Sequence, residues 1–333
     1  MARIRSDDHD LHVMAAWLYY VHGLGQEEVA RRLEVSRTKV VRMLSSARES
    51  GLVKISLEHQ MAETLALGDW IAASYGLGRC ILTPPADAAN PDDPLLDPQR
   101  KDAVGIAAAN YIGRRILNTR NVSVGVGGGT TVRRTIDAMR VLSKPDSRVV
   151  ALMGASHNDD GTSAYSLSLE MAQIVGGTAR TLPIPFVLGL QETCAALKAD
   201  PYIRPVLAEM ASTDFNVISC GGCDETGSFF MASGISAEDL KRAREAGAVC
   251  EVAGHFLKAD GSRADTELND RHTGIEFEDL QKADNVVVAA GTAKTKPLLA
   301  LLQAGIATTL VIDHSIATGL VAARPKSTRR PPG

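Results

Sequence analysis

The sequence predicts an α/β protein: a small N-terminal helical unit, then a larger domain on a parallel, Rossmann-like sheet. Three observations carry that expectation. Residues 1–50 alternate helical patterns with short polar turns. From Lys101 onward, short β-branched runs alternate with helical patterns, the arrangement of a parallel sheet flanked by helices. With 333 residues, the chain is also longer than one average domain.

Composition narrows the function classes. Apolar content of 45% and charged content of 23% describe a soluble protein with ample core. The net charge of −3 gives no global sign of nucleic-acid binding, so any basic surface must be local. Five cysteines are too sparse for a disulfide framework and fit a reducing cytosol. No apolar run is long enough to span a membrane and no signal-peptide h-region is evident, so a cytoplasmic location is expected.

The first helical pattern places Leu11, Met14, Ala15, Leu18 and Val21 on one face, and Gly23 and Gly25 end it. "QEEVARRL" (26–33) gives a second short helix, with Glu27 and Glu28 near its positive end. After the turn "EVS", "SRTKVVRMLSSARES" gives a third, with Ser36 as N-cap and Gly51 just past its end. Val29 and Leu33 are expected to pack on Val40, Val41 and Leu44. Two short helices about a three-residue turn make a helix-turn-helix. "GLVKISLE" then reads as a small wing strand.

Basic residues concentrate here: Arg37, Lys39, Arg42, Arg48 and Lys54 oppose Glu49 alone between Ser36 and Lys54. Charge by itself would also suit a solvated helix face. The ordered series of short helix, turn, Ser-capped basic helix, glycine and strand favours DNA. Arg37, Thr38 and Lys39 lie where a recognition helix meets base edges, and Arg42 follows one turn later. Arg48 and Lys54 suit phosphates, and Gln26 and Ser36 complete the candidate contact set.

Residues 59–76 are expected to form a linker helix, with Leu65, Trp70 and Ile71 available for packing. "TPPADAANPDDPLLDP" (83–98) reads as a loop. The expected strands are "NVSVGV", "RVVALMG", "ARTLPIP", "FNVISCG", "AVCEVAG", "NVVVAAG" and "ATTLVID". Helices are expected over 101–118, 130–142, 163–175, 203–212, 236–246 and 295–303. The domains are therefore drawn at 1–58, 59–76 and 77–323, with a disordered basic tail over 324–333.

Ligands in open α/β sheets sit beyond the carboxyl ends of strands. After "VSVGV", Gly125, Gly127, Gly128 and Gly129 clear a turn, Thr130 and Thr131 add hydroxyls, and a helix N-terminus follows. No GKS or GKT completes a P-loop, and the GxGxxG spacing fails. A glycine cluster also serves tight strand–helix packing. Further strand ends contribute Gly291 with Lys294, and Asp313 with His314. A lysine at a helix start opposes the dipole, so Lys294 is a candidate phosphate ligand, with Lys296 as its alternative. "LMGASHNDD" offers Gly154, Ser156, His157 and Asp159 for sugar hydroxyls. Cys220 and Cys223 form a single CxxC, read as a buried strand-end pair, not a zinc or redox centre. His9, His12 and His22 read as surface residues. No metal site and no cofactor are expected.

The chain resembles SorC/DeoR-type sugar-binding transcriptional regulators along nearly its whole length. The resemblance rests on "AAWLYYVHGLGQEEVARRLEVSRTKVVRMLSSARESGLVKI", "VSVGVGGGTTV", "ADPYIRPVLAEMASTDFNVISCGG", "EAGAVCEVAGHFLKADG" and "AAGTAKTKPLLALLQAGIATTLVIDHSIATGLV", in that order. It implies an effector domain related in fold to ribose-phosphate isomerases and glucosamine-phosphate deaminases. It also implies a phosphorylated-sugar or related carbohydrate effector, double-stranded operator DNA as partner, and a homo-oligomer, dimer or tetramer. Carried over by position, the family's phosphate loop falls on Gly125 to Thr131, its lysine on Lys294 and its late strand-end aspartate on Asp313. Many members carry Trp at the position of Gly128 and Arg at that of Thr130. Residues 160–170 also lack the Asn or Gln often found there. A smaller or less phosphorylated effector, or an unphosphorylated polyol, is therefore expected.

The expected function is an effector-controlled DNA-binding regulator of a carbohydrate catabolic operon, not an enzyme. The alternative is a sugar-phosphate isomerase or deaminase with an accessory DNA-binding domain, for which Asp313, His314 and His157 are the available proton-transfer groups.

Overall fold

The computed structural model describes residues 4–50, 52–53, 60–87, 93–158, 160–225, 230 and 233–323, with the backbone alone for 4–9 and 60–62. It divides into two compact units, Met1–His59 and Gln60–Gly333.

In the first unit, α1 (Ile4–Ala16) runs into a π-helical turn, Trp17–Val21, followed by α2 (Gln26–Arg32) and α3 (Arg37–Glu49). Ala15, Leu18, Val29, Val40, Leu44 and Ala47 form the core. Leu33 packs at its edge as expected, but Val41 is exposed, because the inward stripe of α3 is Val40, Met43, Leu44 and Ala47. Met14 and Val21, expected inside, are also exposed. The π turn explains Val21: His22 N–H donates to Trp17 O five residues back, and the wider turn shifts the apolar stripe. The turn between α2 and α3 holds Glu34 at φ 55°, a left-handed conformation uncommon for a residue with a Cβ. Gly51 and most of the expected wing, Lys54 included, lie outside the described residues; Val53 packs against the core.

The second unit is a seven-stranded parallel sheet in the order β1-β9-β8-β5-β2-β3-β4, plus a separate β6-β7 pair. The strands are β1 (Arg79–Leu82), β2 (Ser123–Val126), β3 (Arg148–Ala151), β4 (Thr178–Arg180), β5 (Phe215–Ile218), β6 (Ala248–Val252), β7 (His255–Lys258), β8 (Asn285–Ala289) and β9 (Thr309–Ile312). Alternation along each strand feeds two cores. Val286 and Val288 face the layer holding α5 (Asp97–Asn118), α6 (Thr130–Asp137) and α7 (Ala164–Val175). Val287 and Ala289 face the other, with α4 (Gln60–Tyr75) and the helices Thr295–Gln303 and His314–Ala322.

Helix α4 is built into this unit more closely than a free linker would be. Ile71 is fully buried, a Cβ on Gly68 would lie 2.8 Å from Cys80 O, and Tyr75 Oη donates to Leu320 O at 2.8 Å. Leu65 points outward. The segment "AVCEVAG" does not join the parallel sheet. It pairs antiparallel with β7 through Ala253 and Gly254, at φ 48° and 91°. A two-residue turn with both φ positive matches strand twist and favours a tight hairpin. The tail over 324–333 lies outside the described residues. Among the described residues no helix is long and apolar enough to cross a membrane.

Candidate functional site

The α3 face left over from the core is basic. Ser36 caps the helix, its Oγ accepting from Lys39 N–H at 3.2 Å. Arg37, Thr38, Lys39, Arg42 and Arg48 are all exposed. Arg37 leans toward α2, its Nε donating to Gln26 Oε1 at 3.4 Å, with Glu27 4.0 Å from its guanidinium. Arg31 and Arg32 are drawn away by Glu28 on their own helix. Exposed Val41 adds an apolar spot one turn from Arg37 and adjacent in sequence to Arg42.

In the larger unit the strand order reverses between β2 and β5: β2 continues to β3 on one side, whereas β5 lies on the other. Ligand crevices in open α/β sheets form at such reversals. A pocket lies there, at the carboxyl ends of β8, β5, β2 and β3. About 610 Å³ there is free of atoms, open solvent included. Gly127, Gly128 and Gly129 form one wall after β2, Ser156 another after β3, and Ser219 and Cys220 a third after β5. Lys294 enters after β8, Thr162 to Ala164 from the start of α7, and Met153 and Phe186 supply apolar surface.

Several expected ligand residues have other occupations. Gly125 is inside β2, and a Cβ there would collide with Asn216. Gly154 is pressed against Thr273 and the Ile184 carbonyl, and Gly291, at φ 93°, against Asp97. Asp313 does not line the pocket; its Oδ1 caps the final helix through Ser315 N–H at 2.8 Å, and its Oδ2 accepts from Gly291 N–H at 2.7 Å. It joins two strand ends. Thr131 is buried with an unpartnered Oγ1, and neither it nor Thr130 lines the pocket. His157 borders a neighbouring cleft, which it shares with Ser156 and Gly234. Lys294 lines the pocket and Lys296 does not. Asp159 lies outside the described residues.

The glycine turn is itself partly committed. Gly127 N–H donates to Val217 O at 2.9 Å and Gly129 N–H to Thr162 O at 2.8 Å. Fewer amides therefore point at an anion than the glycine run suggests.

Ser219 and Glu251 are among the pocket residues that escaped the sequence reading. Ser219 presents a buried Oγ with no hydrogen-bond partner. Glu251, on β6, is buried and faces the pocket; its Oε1 accepts from Gly254 N–H at 2.8 Å. Burial raises its carboxyl to about 7, against the pull of the Gly254 hydrogen bond and the Lys294 charge. The hairpin turn was the available signal, since Ala253-Gly254 carries Glu251 out of the parallel sheet. Lys294 Nζ donates to Cys220 O. The Cys220 thiol pairs with Cys250, not Cys223, which sits in a separate cluster with Leu240 and Phe256.

The family model described as "Putative sugar-binding domain" matches residues 59–322. The chain belongs to this sugar-binding family. Relatives of the SorC/DeoR type extend the match to the basic helix. The Erythritol catabolism regulatory protein EryD of Brucella abortus is 26% identical over 314 residues, covering 94% of this chain and 97% of EryD. The Deoxyribonucleoside regulator of Bacillus subtilis is 27% identical over 320 residues, covering 95% and 98%. The full-length sorbitol operon regulator SorC from Klebsiella pneumoniae shares the fold, with a TM-score of 0.69 at 21% identity over 94% of this chain and 99% of its own. In this member of the sugar-binding family, the described pocket glycines are Gly127 to Gly129 and Gly221, and the described pocket charges are Glu251 and Lys294.

Proposed function

We infer that this chain is a DNA-binding transcriptional regulator of a carbohydrate catabolic operon. Its hold on operator DNA is set by a sugar or related carbohydrate bound in the larger unit. One observation carries the reading: a single chain joins an exposed, Ser36-capped basic helix to a pocket at the strand-order reversal of a sugar-binding-family sheet. Relatives named for erythritol, deoxyribonucleoside and sorbitol control support the carbohydrate side.

Arg37, Thr38, Lys39 and Arg42 meet base edges in the major groove, and Arg48 meets phosphate. A homo-oligomer, dimer or tetramer, presents the helices in pairs. An effector that binds one assembly geometry more tightly shifts the population, and hence operator affinity. Gly127 to Gly129, Ser156, Ser219, Glu251 and Lys294 hold the effector. On this reading the protein works in the cytoplasm. A gel shift with the DNA upstream of the neighbouring operon tests it. Retardation that responds to a carbohydrate is expected, and no retardation at low salt, with or without carbohydrate, overturns it.

Glu251 favours a second reading, since a carboxyl near neutrality beside a lysine has the chemistry of aldose–ketose proton transfer. Turnover of a pentose or hexose phosphate by the pure protein would replace the sensor with an isomerase.

A further inference from the structure

Among the described residues, Lys294 is the one cation lining the pocket and Glu251 the one carboxylate. The two are close enough for the lysine charge to act on the carboxyl, and Glu251 offsets that charge as it ionises. No second cation reaches it from the helix after the glycine turn. Arg133 is held by Glu170 at 2.6 Å and Asp137 at 2.8 Å, and Arg134 pairs with Asp102 at 3.4 Å. Two amides of the turn already donate to backbone carbonyls. A phosphate ester carries close to two negative charges at neutral pH and needs donors or cations to replace its water. Here it would meet one lysine, already bonded to Cys220 O, and a carboxyl that repels it once ionised.

The remaining polar lining is hydroxylic: Ser156, Thr162, Ser163, Ser219 and Ser233. Ser219 Oγ is buried without a partner, so it is an unmet donor and acceptor at the pocket wall. Glu251 Oε1 is engaged by Gly254, while the residue still lines the pocket. Hydroxyls, a carboxyl and an ammonium group match a ligand in which every polar group both donates and accepts. Met153 and Phe186 offer apolar surface to its carbon chain.

We propose that the effector is an uncharged polyhydroxyl compound, a polyol or free sugar, and that Glu251 is the residue that excludes its phosphate esters. This rests on the reading of the pocket as the effector site. Glu251 and Ser219 take ligand hydroxyls, and Lys294 adds a donor while offsetting the carboxylate. Replacing Glu251 by Gln keeps the acceptor for Gly254 N–H and removes the repulsion.

The test is binding to the full-length protein by calorimetry and thermal shift. The probes are four- to six-carbon linear polyols and aldoses, each beside its own terminal monophosphate. The expected result is that a neutral member binds at least about tenfold more tightly than its monophosphate. At about pH 8.5, where the carboxyl is ionised, Glu251→Gln is expected to narrow that gap about tenfold by raising affinity for the monophosphate. A monophosphate that binds wild type more tightly than its parent overturns the proposal, as does no binding by any neutral member. A gap left unchanged by Glu251→Gln removes the excluding role of that residue. Operator retardation is read separately, so these failures leave the regulator reading standing, and loss of retardation leaves the ligand result standing.

Discussion

Asn216 fills the space that a side chain at position 125 would need: a Cβ on Gly125 would lie 1.9 Å from Asn216 Oδ1. Asn216 is fully buried on β5. Its Oδ1 accepts from Thr213 Oγ1 at 2.7 Å, and its Nδ2 donates to Asn285 Oδ1 at 2.9 Å on the adjoining strand. Gly125 therefore belongs to a polar bridge across the sheet, not to the ligand turn. Gly125→Ala is expected to destabilise the larger unit by about 2–4 kcal/mol, from overpacking and a broken buried network. Denaturant unfolding measures it. An equal loss from Gly128→Ala, whose Cβ would sit 3.2 Å from Thr162 O, would contradict the distinction.

On the DNA side, Arg37→Ala with Arg42→Ala should abolish specific retardation. Arg48→Ala should weaken binding to every sequence alike and lower the salt slope by about one. Lys294→Ala should leave DNA affinity intact and blunt the response to carbohydrate. Titrations at several salt concentrations separate the three.

Glu34 should respond in the opposite sense to most substitutions. Its positive φ costs a side-chain-bearing residue about 1 kcal/mol that glycine avoids. Glu34→Gly is expected to raise the melting temperature of the first unit, the relief exceeding the added chain entropy. A lower melting temperature would show the turn to be unstrained.

The Glu251 carboxyl, raised from 4.5 to about 7 by burial, binds its proton more tightly in the folded state. Its contribution is therefore complete below about pH 4.5 and is lost as pH rises through about 7, on the order of 3 kcal/mol in all. Glu251→Gln should remove that dependence, so that stability profiles of variant and wild type diverge most across this interval. Parallel profiles would mean that the carboxyl ionises freely.

His255 and His272 act with the other sign. Their rings meet edge-on at 4.3 Å, burial lowers both, and His255 falls to about 4. His255 Nε2 faces Ile275 O at 2.9 Å, whereas neither ring nitrogen of His272 has a partner. The unfolded chain takes up these protons first, so stability present above about pH 6.5 is lost as pH falls. His272→Leu should gain about 2 kcal/mol at pH 5 relative to its effect at pH 7.5. Urea unfolding at the two pH values checks it.

The helices α2 and α3 were legible because local chemistry determines them: Ser36 at a cap, an apolar stripe at helical spacing, and basic residues on the opposite face. The strands β2, β3, β5, β8 and β9 were legible as β-branched runs. β1 and β7 were not, since "RCIL" and "HFLK" are short and show no clear alternation. The site was less legible because a strand-end residue can turn toward ligand or toward a neighbouring strand end with the same sequence pattern. Asp313 and Gly291 turned toward each other. Glu251 was hidden in a segment that reads as parallel strand until its pairing is known.

The hairpin Ala248–Lys258 has a consequence for how such sensors diversify. It carries the pocket acid but contributes no strand to the seven-stranded sheet, so the one pocket carboxylate among the described residues and the strand ends that form the other walls sit on different stretches of backbone. A substitution at position 251 changes the charge of the pocket while every strand of the sheet keeps its sequence.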